Sequence, residues 1–257
     1  FKAIRVDQAF FAGKVLDRVE SYLGVRQLKV DKEGFWINGQ KVFLRMVLVQ
    51  GYYPGGHYTP RDAGAMAEDI RAIKALGYNG ARIHEKVESP YFQYLCDRLG
   101  LYTSFEMPSF YLPSRRAFAR YEAELKELLV RDDAHPSCVL RILFNETWGV
   151  WGMYRRGSRT RRFMDAMYDL TKSIDPGRPV IENSGWEHFR TEVADFHHYL
   201  RTAGMAREVY TGMAAGRKEL LYGFSLGRML AFNAKVESRT RSLFLERGAA
   251  DGDLPLL

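Results

Sequence analysis

The stretch Cys138-Val-Leu-Arg-Ile-Leu-Phe-Asn-Glu-Thr-Trp-Gly149 is an apolar run that ends in a group of polar and aromatic residues. A short apolar run bounded by turn residues is typical of a strand buried on both faces. We therefore predict a strand over residues 138–144. The carboxyl end of this strand would present Asn145, Glu146 and Trp148 together.

The residues on both sides of this strand repeat the same rhythm of apolar runs and helix-length amphipathic stretches. We predict helices over 61–76, 90–99, 114–131, 159–174 and 201–214, and further strands over 42–49, 79–83, 101–105, 179–182, 193–196 and 242–245. Strands that alternate with helices predict parallel βα units and an α/β fold. No glycine-rich phosphate turn follows the first of these strands, and polar residues follow many of them, which favours a (β/α)8 TIM barrel over a doubly wound sheet. The pattern contains about seven strands and no room for an eighth, so we expect the barrel to be incomplete.

The first part of the chain has a β pattern instead. Residues 1–6 and 20–30 are strand-like, and Asn38-Gly39 lies between two apolar runs, which is a strong hairpin signal. These strands are too few to close a domain. We expect residues 1–36 to be the end of a β domain and residues 37–257 to form the barrel. Because the first residue is Phe rather than Met, we expect the chain to be a fragment of a longer protein.

The composition excludes several classes of protein. The chain has 257 residues, of which 46% are hydrophobic and 27% charged, as in a soluble globular protein. Its two cysteines cannot form a disulfide scaffold, and their spacing does not suggest a structural zinc site. No apolar run approaches the length of a membrane span. The chain is expected to be soluble, either cytoplasmic or periplasmic or secreted in a bacterium, and its oligomeric state stays open.

The net charge of +7 is concentrated in one segment, because five arginines fall between Arg155 and Arg162. Such a segment is most often a solvated loop or helix start. The surrounding residues show no nucleic-acid motif, so we expect no nucleic-acid partner. One further hypothesis is that these arginines face a uronate sugar.

The residues that follow the predicted strands suggest carboxylate chemistry. Glu146, between an Asn and an aromatic residue, is placed to act as a general acid. Glycoside hydrolysis requires a second carboxylate, and Glu106, Glu182 and Glu246 each end a predicted strand. Glu246 has the best setting for an ionised nucleophile, because an apolar run precedes it. Capping of the next helix by Glu146 is the alternative interpretation.

Other polar and aromatic residues follow the same strand ends. The polar candidates for substrate binding are Arg82, His84, Glu106, Asn145, His197 and Tyr199. The aromatic residues Trp148 and Trp186 would stack on sugar faces, with ordinary packing as the alternative. The sequence offers no third ligand beside His197-His198, so we expect no metal.

Together these stretches resemble glycoside hydrolase family 2, the group that holds β-galactosidases, β-glucuronidases and β-mannosidases. The resemblance is carried by Ser21-Tyr-Leu-Gly-Val-Arg26, Ile37-Asn-Gly-Gln-Lys-Val-Phe-Leu-Arg45, Asp69-Ile-Arg-Ala-Ile-Lys74, Gly77-Tyr-Asn-Gly-Ala-Arg82, Leu95-Cys-Asp-Arg-Leu-Gly-Leu-Tyr102 with Glu106, and His135-Pro-Ser137 with Asn145-Glu146.

The resemblance implies an immunoglobulin-like β-sandwich before the barrel and a retaining mechanism without a cofactor. Glu146 would be the acid/base, Glu246 the nucleophile, and Asn145 would bind the 2-hydroxyl of a β-glycoside substrate. Two departures from the family pattern concern the site: Arg247 replaces the aromatic residue that usually follows the nucleophile, and Ile83-His84-Glu85 replaces the common Ser-His. The alternatives are a catalytically impaired fragment, or a carbohydrate-binding relic, of such an enzyme. A different retaining glycosidase of the same barrel class is a further alternative.

Overall fold

The computed structural model describes residues 2–11, 14–197 and 202–215. The strands are β1 (Lys2–Phe11), β2 (Lys14–Leu23), β3 (Leu28–Asp31), β4 (Gly34–Ile37), β5 (Gln40–Val42), β6 (Met46–Val49), β7 (Gly80–Ile83), β8 (Tyr102–Glu106), β9 (Cys138–Ile142) and β10 (Val180–Ile181). The helices are α1 (Ala63–Ala75), α2 (Pro90–Leu99), α3 (Arg115–Arg131), α4 (Arg159–Ile174) and α5 (Ala203–Ala214), with a short 3-10 helix at Trp151–Tyr154.

Five parallel strands form the central sheet in the order β10-β9-β8-β7-β6. Met46 of β6 lies opposite Gly80 of β7, and Ile83 lies opposite Phe105 of β8. The spatial order follows the chain order, whereas a doubly wound sheet reverses its order at a switch point. The described strands therefore have the arrangement of a barrel wall, as the sequence predicts.

The helices cover the outer face of this sheet and bury its apolar side chains. Ile70 of α1 and Phe92 of α2 pack in one cluster with Ile83. Leu125 of α3 and Met164 of α4 pack in a second cluster below β8 and β9. The expected helices are confirmed, and α2 and α4 have the predicted bounds. Ser and Gly residues explain this accuracy, since Ser89 caps the first turn of α2 and Gly100 ends that helix in the left-handed region.

The antiparallel strands β3, β4 and β5 form a separate sheet at one end of the barrel wall. Asn38 (φ 52°) and Gly39 (φ 77°) both adopt the left-handed region, which the predicted two-residue hairpin requires. Phe35 and Ile37 of β4 pack in one cluster with core residues of β9 and β10. The boundary expected between residues 36 and 37 thus falls inside β4. The assignment of residues 1–36 to an immunoglobulin-like sandwich stays a prediction.

Three expected strands are interrupted or missing in the structure. The stretch 20–30 is interrupted, because β2 ends at Leu23 and β3 begins at Leu28. Residues 42–49 do not form one strand, because β5 ends at Val42 and β6 begins at Met46. Residues 193–196 do not form a strand. Here the Glu192 carboxylate accepts a hydrogen bond from the backbone N–H of Val180 at 2.9 Å. A side-chain oxygen therefore takes the place that the backbone carbonyl of a neighbouring strand would have. The strand expected over 242–245 lies outside the described residues.

Candidate functional site

The carboxyl ends of β7, β8 and β9 bring the predicted polar residues together around one guanidinium group. Arg82 donates from Nε to Glu106 Oε2 (2.8 Å) and from Nη2 to Asn145 Oδ1 (2.8 Å). Its Nη1 lies 2.6 Å from Nε2 of His197. Carboxyl ends of parallel strands meet at one edge, which explains why residues 24 to 115 positions apart along the chain share one guanidinium.

Glu106 and Arg82 form a buried ion pair at the base of this group. The Glu106 side chain is 0% exposed. Burial raises the pKa of Glu106, although the positive charge of Arg82 opposes this rise. Burial of Arg82 works against its own charge, but Glu106 keeps the pKa of the guanidinium above its ordinary value. His84 lies with Nε2 3.8 Å from the second Glu106 oxygen, and burial, followed by the charge of Arg82, lowers the pKa of this histidine.

The hydrogen bonds around His197 define which of its nitrogens carries the hydrogen. A guanidinium can only donate, so Nε2 of His197 must accept from Arg82. The hydrogen of the neutral ring then lies on Nδ1, which is 2.5 Å from Oε1 of Glu146. Nε1 of Trp148 donates to the other oxygen, Oε2, at 3.3 Å. Each oxygen of Glu146 therefore accepts a hydrogen bond from a ring N–H.

The backbone that carries Glu146 is strained. Glu146 (φ 49°) and Thr147 (φ 62°) both lie in the left-handed region, which a β-branched residue rarely adopts. Two contacts hold this turn: the N–H of Thr147 donates to Asn183 Oδ1 (2.9 Å), and its hydroxyl donates to Glu187 Oε2 (3.0 Å). Strain of this kind clusters at functional sites, where the surrounding structure compensates for it.

A buried row of polar and charged groups lies behind His197 and consists of Ser184, Asp195, His188 and Glu182. The sequence did not indicate that these residues meet. Ser184 donates to Asp195 Oδ2 at 2.5 Å, and its hydroxyl lies 3.4 Å from Nε2 of His197. His188 contacts Glu182 Oε2 through Nδ1 (3.1 Å) and the Asp195 carbonyl through Nε2 (2.8 Å). The nearby carboxylates of Glu182 (3.1 Å) and Asp195 (3.2 Å) favour the charged form of the His188 ring, although the backbone N–H of Asp195 also lies 3.2 Å from Nε2. Burial alone would lower the pKa of His188, but Glu182 and Asp195 raise it well above the usual value.

This row changes the interpretation of Glu182. Its carboxylate accepts from the backbone N–H groups of Phe189 (2.6 Å) and Arg190 (3.3 Å) as well as from His188. The Glu182 side chain is fully buried. Glu182 therefore serves as a structural anion and is not accessible to a substrate.

Asp195 makes a testable contribution to the pH dependence of stability. Burial would raise its pKa, but hydrogen bonding and the positive charge of His188 lower the pKa to about 2. A lowered folded-state pKa stabilises the fold above the unfolded value of 3.8, and this contribution is lost as the pH falls toward about 2. We expect Asp195→Asn to lower the free energy of unfolding by about 2 kcal/mol at pH 7 and by progressively less toward pH 3.

Urea unfolding between pH 3 and pH 7 measures this difference. The control is Asp17→Asn, which removes an exposed aspartate of β2. Curves for wild type and Asp195→Asn that stay parallel over this pH range would contradict the role assigned to Asp195.

A cleft of about 510 Å³ lies above the carboxyl ends of β6 to β9, and Trp148, which donates to Glu146, is one of its lining residues. Its lining residues are Gln50, Tyr52, Tyr58, His84, Glu85, Pro108, Ser109, Phe110, Tyr111 and Trp148. Arg82 and His197 instead border a second, largely apolar cavity on the inner face of the sheet. Aromatic rings combined with polar groups are the usual lining of a carbohydrate site, so the first cleft is the candidate for substrate binding.

The remaining predicted residues are placed as follows. Trp186 is only 2% exposed and packs against Trp148 and Trp151, so it supports the Trp148 ring from behind. Glu246 and Tyr199 lie outside the described residues.

Within the described ranges, no group of three or more His, Cys, Asp or Glu side chains is placed to hold a metal ion, and no helix has the length and apolarity needed to cross a bilayer.

Comparison with known proteins agrees with this arrangement. The chain is 30% identical over 193 residues to a β-galactosidase of Alteromonas mediterranea, covering 71% of this chain and 17% of that protein. It is 30% identical over 183 residues to a β-galactosidase of Pseudoalteromonas haloplanktis, covering 67% of this chain and 16% of that protein. The chain thus spans about a sixth of the length of these relatives.

A solved structure and a family model also match this chain. The apo structure of β-glucuronidase 3 from Bacteroides uniformis aligns with a TM-score of 0.59 and 25% identity, covering 66% of this chain and 22% of that one. The model of the glycosyl hydrolase family 2 TIM barrel domain matches residues 28–209. This region contains all five parallel strands and every described residue of the candidate site. The chain therefore belongs to glycosyl hydrolase family 2, and its residues 28–209 match the TIM barrel domain of that family.

Proposed function

We propose that the protein hydrolyses β-glycosidic bonds with retention of configuration, with Glu146 as acid/base and Glu246 as nucleophile. The observation that carries this proposal is the setting of Glu146. It follows the buried barrel strand β9, both of its carboxyl oxygens are oriented by a ring N–H, and Trp148 connects it to the cleft. The β-galactosidase names of the sequence relatives support a β-glycoside as the substrate class.

The reaction has two steps in which the two carboxyl groups change roles. In the first step, the Glu246 carboxylate attacks the anomeric carbon, the bond to the leaving oxygen breaks, and protonated Glu146 gives its proton to that oxygen. In the second step, Glu146 takes a proton from water, the water oxygen attacks the anomeric carbon, and the ester to Glu246 breaks. The two carboxyl groups of a retaining enzyme lie about 5–5.5 Å apart.

The polar group around Arg82 orients the residues that would contact the sugar. Asn145 accepts from Arg82 through Oδ1, so its amide nitrogen is the atom left to donate to the 2-hydroxyl. His197 receives a hydrogen bond from Arg82 and passes one to Glu146, which fixes the direction of the carboxyl group. The oxocarbenium-like transition state would gain from the Asn145 contact.

Covalent trapping tests this proposal. The reagents are 2-fluoro β-glycosides with a 2,4-dinitrophenyl leaving group: the fluorine slows both steps and the leaving group keeps the first step faster than the second, so a glycosyl-enzyme ester accumulates and can be located by peptide mass spectrometry. We expect one label per chain, on Glu246, and we expect the Glu146→Gln variant to take the same label, because this leaving group needs no proton. No label on a chain shown to be folded by circular dichroism would contradict the proposed activity, and a label on another carboxylate would reassign the nucleophile.

A further inference from the structure

The cleft beside Glu146 has an unusual charge distribution. Among the described residues that line it, Glu85 is the one with a formal charge, since His84 has a lowered pKa and the others are neutral. Three exposed aromatic rings line the same cleft as this carboxylate, those of Tyr52, Tyr58 and Tyr111. A ligand in the cleft therefore meets neutral hydrogen-bonding groups, aromatic faces and one negative charge.

Among the described residues, Arg82 and Lys86 flank the lining residues His84 and Glu85 in the sequence, and both are already paired with carboxylates. Arg82 is bound to the buried Glu106. Lys86 lies 2.8 Å from Glu88 Oε1 and donates to the carbonyl groups of Gly51 and Tyr58, both at 3.2 Å. These contacts take up the positive charges that could otherwise bind an anionic sugar.

The arginine-rich segment does not supply a cation to the cleft either. The guanidinium of Arg161 stacks 3.4 Å from the centre of the Phe189 ring, and that of Arg159 lies 4.9 Å from the centre of the Phe118 ring. Arg162 donates to the Gly157 carbonyl. These arginines pack around the start of α4 and do not line the cleft, which argues against the uronate hypothesis suggested by the sequence.

The position of Glu85 is maintained at an energetic cost. Its backbone lies in the left-handed region (φ 45°), where an L-residue other than glycine is strained. Burial and then the nearby Glu106 raise the pKa of its carboxyl group, while the backbone N–H of Ser109 works in the opposite direction. The strained turn thus places a half-buried carboxylate at the wall of the cleft.

We propose that Glu85 makes this cleft selective for uncharged pyranosides and excludes uronides. This inference rests on the proposed function, since it concerns the sugar bound at that site. Sugar hydroxyls can donate to a carboxylate in charge-assisted hydrogen bonds, whereas a uronate brings a second negative charge to a half-buried one. Specificity of this kind comes from penalising the wrong ligand as well as from contacts to the right one.

Matched pairs of ligands test the inference on the full chain. The pairs are phenyl 1-thio-β-glucoside with phenyl 1-thio-β-glucuronide, and phenyl 1-thio-β-galactoside with phenyl 1-thio-β-galacturonide, which resist hydrolysis and differ within each pair only at C6, where a hydroxymethyl group or a carboxylate stands. Dissociation constants are measured by the quenching of tryptophan fluorescence, because Trp148 lines the cleft. We expect the wild type to bind the neutral member of at least one pair about tenfold or more tightly than the uronide.

The variant Glu85→Gln removes the charge and keeps the shape. We expect it to bring the ratio below about threefold by strengthening uronide binding. Glu127→Gln, which removes an exposed carboxylate of α3, is the matched control and leaves the ratio unchanged. A wild type that binds the uronides as tightly as their neutral partners, or a ratio that Glu85→Gln does not change, overturns the inference.

The trapping experiment separates failure of this inference from failure of the proposed function. An unchanged ratio in a chain that 2-fluoro glycosides label overturns the role of Glu85 and leaves the hydrolytic activity intact. A folded chain that neither takes a label nor binds any of the four glycosides overturns both.

Discussion

Replacement of Glu146 by glutamine is expected to lower kcat/KM by about 10²–10⁴-fold for a β-glycoside with a sugar or alkyl leaving group. Such a leaving group departs as a basic alkoxide unless a proton is delivered, and glutamine has no proton to give. A 2,4-dinitrophenyl leaving group is stable as an anion and needs no proton. We therefore expect kcat/KM for the dinitrophenyl substrate, which reports the first step, to fall much less.

The comparison of the two substrates distinguishes proton donation from loss of structure. The side chain of Glu146 accepts hydrogen bonds at both oxygens, from His197 and from Trp148, and glutamine can accept at only one of them. A merely structural defect would lower the rate for both substrates by the same factor. Equal losses would therefore contradict the acid/base role. The control Glu124→Gln, at an exposed position of α3, leaves both rates unchanged.

The sequence predicts the polar group around Arg82, because its residues stand at regular positions in the alternating strand and helix pattern of a barrel. Arg82, Glu106 and Asn145 each follow an apolar run, and the carboxyl ends of parallel strands meet at one edge. The Asn38-Gly39 hairpin was predictable for a similar local reason, since both residues tolerate a positive φ. In each case the signal lies within a few neighbouring residues.

The buried row behind His197 could not be predicted from the sequence in this way. His188 and Asp195 lie in loops after β10. They meet through contacts of the His188 side chain with Asp195 and not through the backbone pairing of two strands. An apolar pair before Asp195 suggested a strand over 193–196, but the Glu192 carboxylate takes the ladder position at Val180. Glu85 was visible only as a departure from the family pattern. Its position in the cleft depends on a left-handed backbone that the sequence does not indicate.

Replacement of Arg82 by methionine is expected to lower the free energy of unfolding by about 3–5 kcal/mol, because it leaves a buried carboxylate without its partner. Glu106 is 0% exposed and already has a pKa raised by burial. Without the guanidinium, this pKa rises further, and folding must either bury the charge or protonate the group. The acceptors on His197 and Asn145 lose their donor in the same variant.

A double-mutant cycle separates the ion pair from these other contacts. We expect Arg82→Met combined with Glu106→Gln to be more stable than the sum of the two single changes allows, because the uncompensated charge is then gone. Urea unfolding at pH 7 measures all four proteins.

The matched control is Arg61→Met, since Arg61 pairs with Asp62 at the same 2.8 Å but both side chains are exposed. Exposed pairs contribute little, so this control should leave the midpoint almost unchanged. Strict additivity of the Arg82 and Glu106 changes would show instead that the pair is not the source of the loss, and that the contacts to His197 and Asn145 hold the site together.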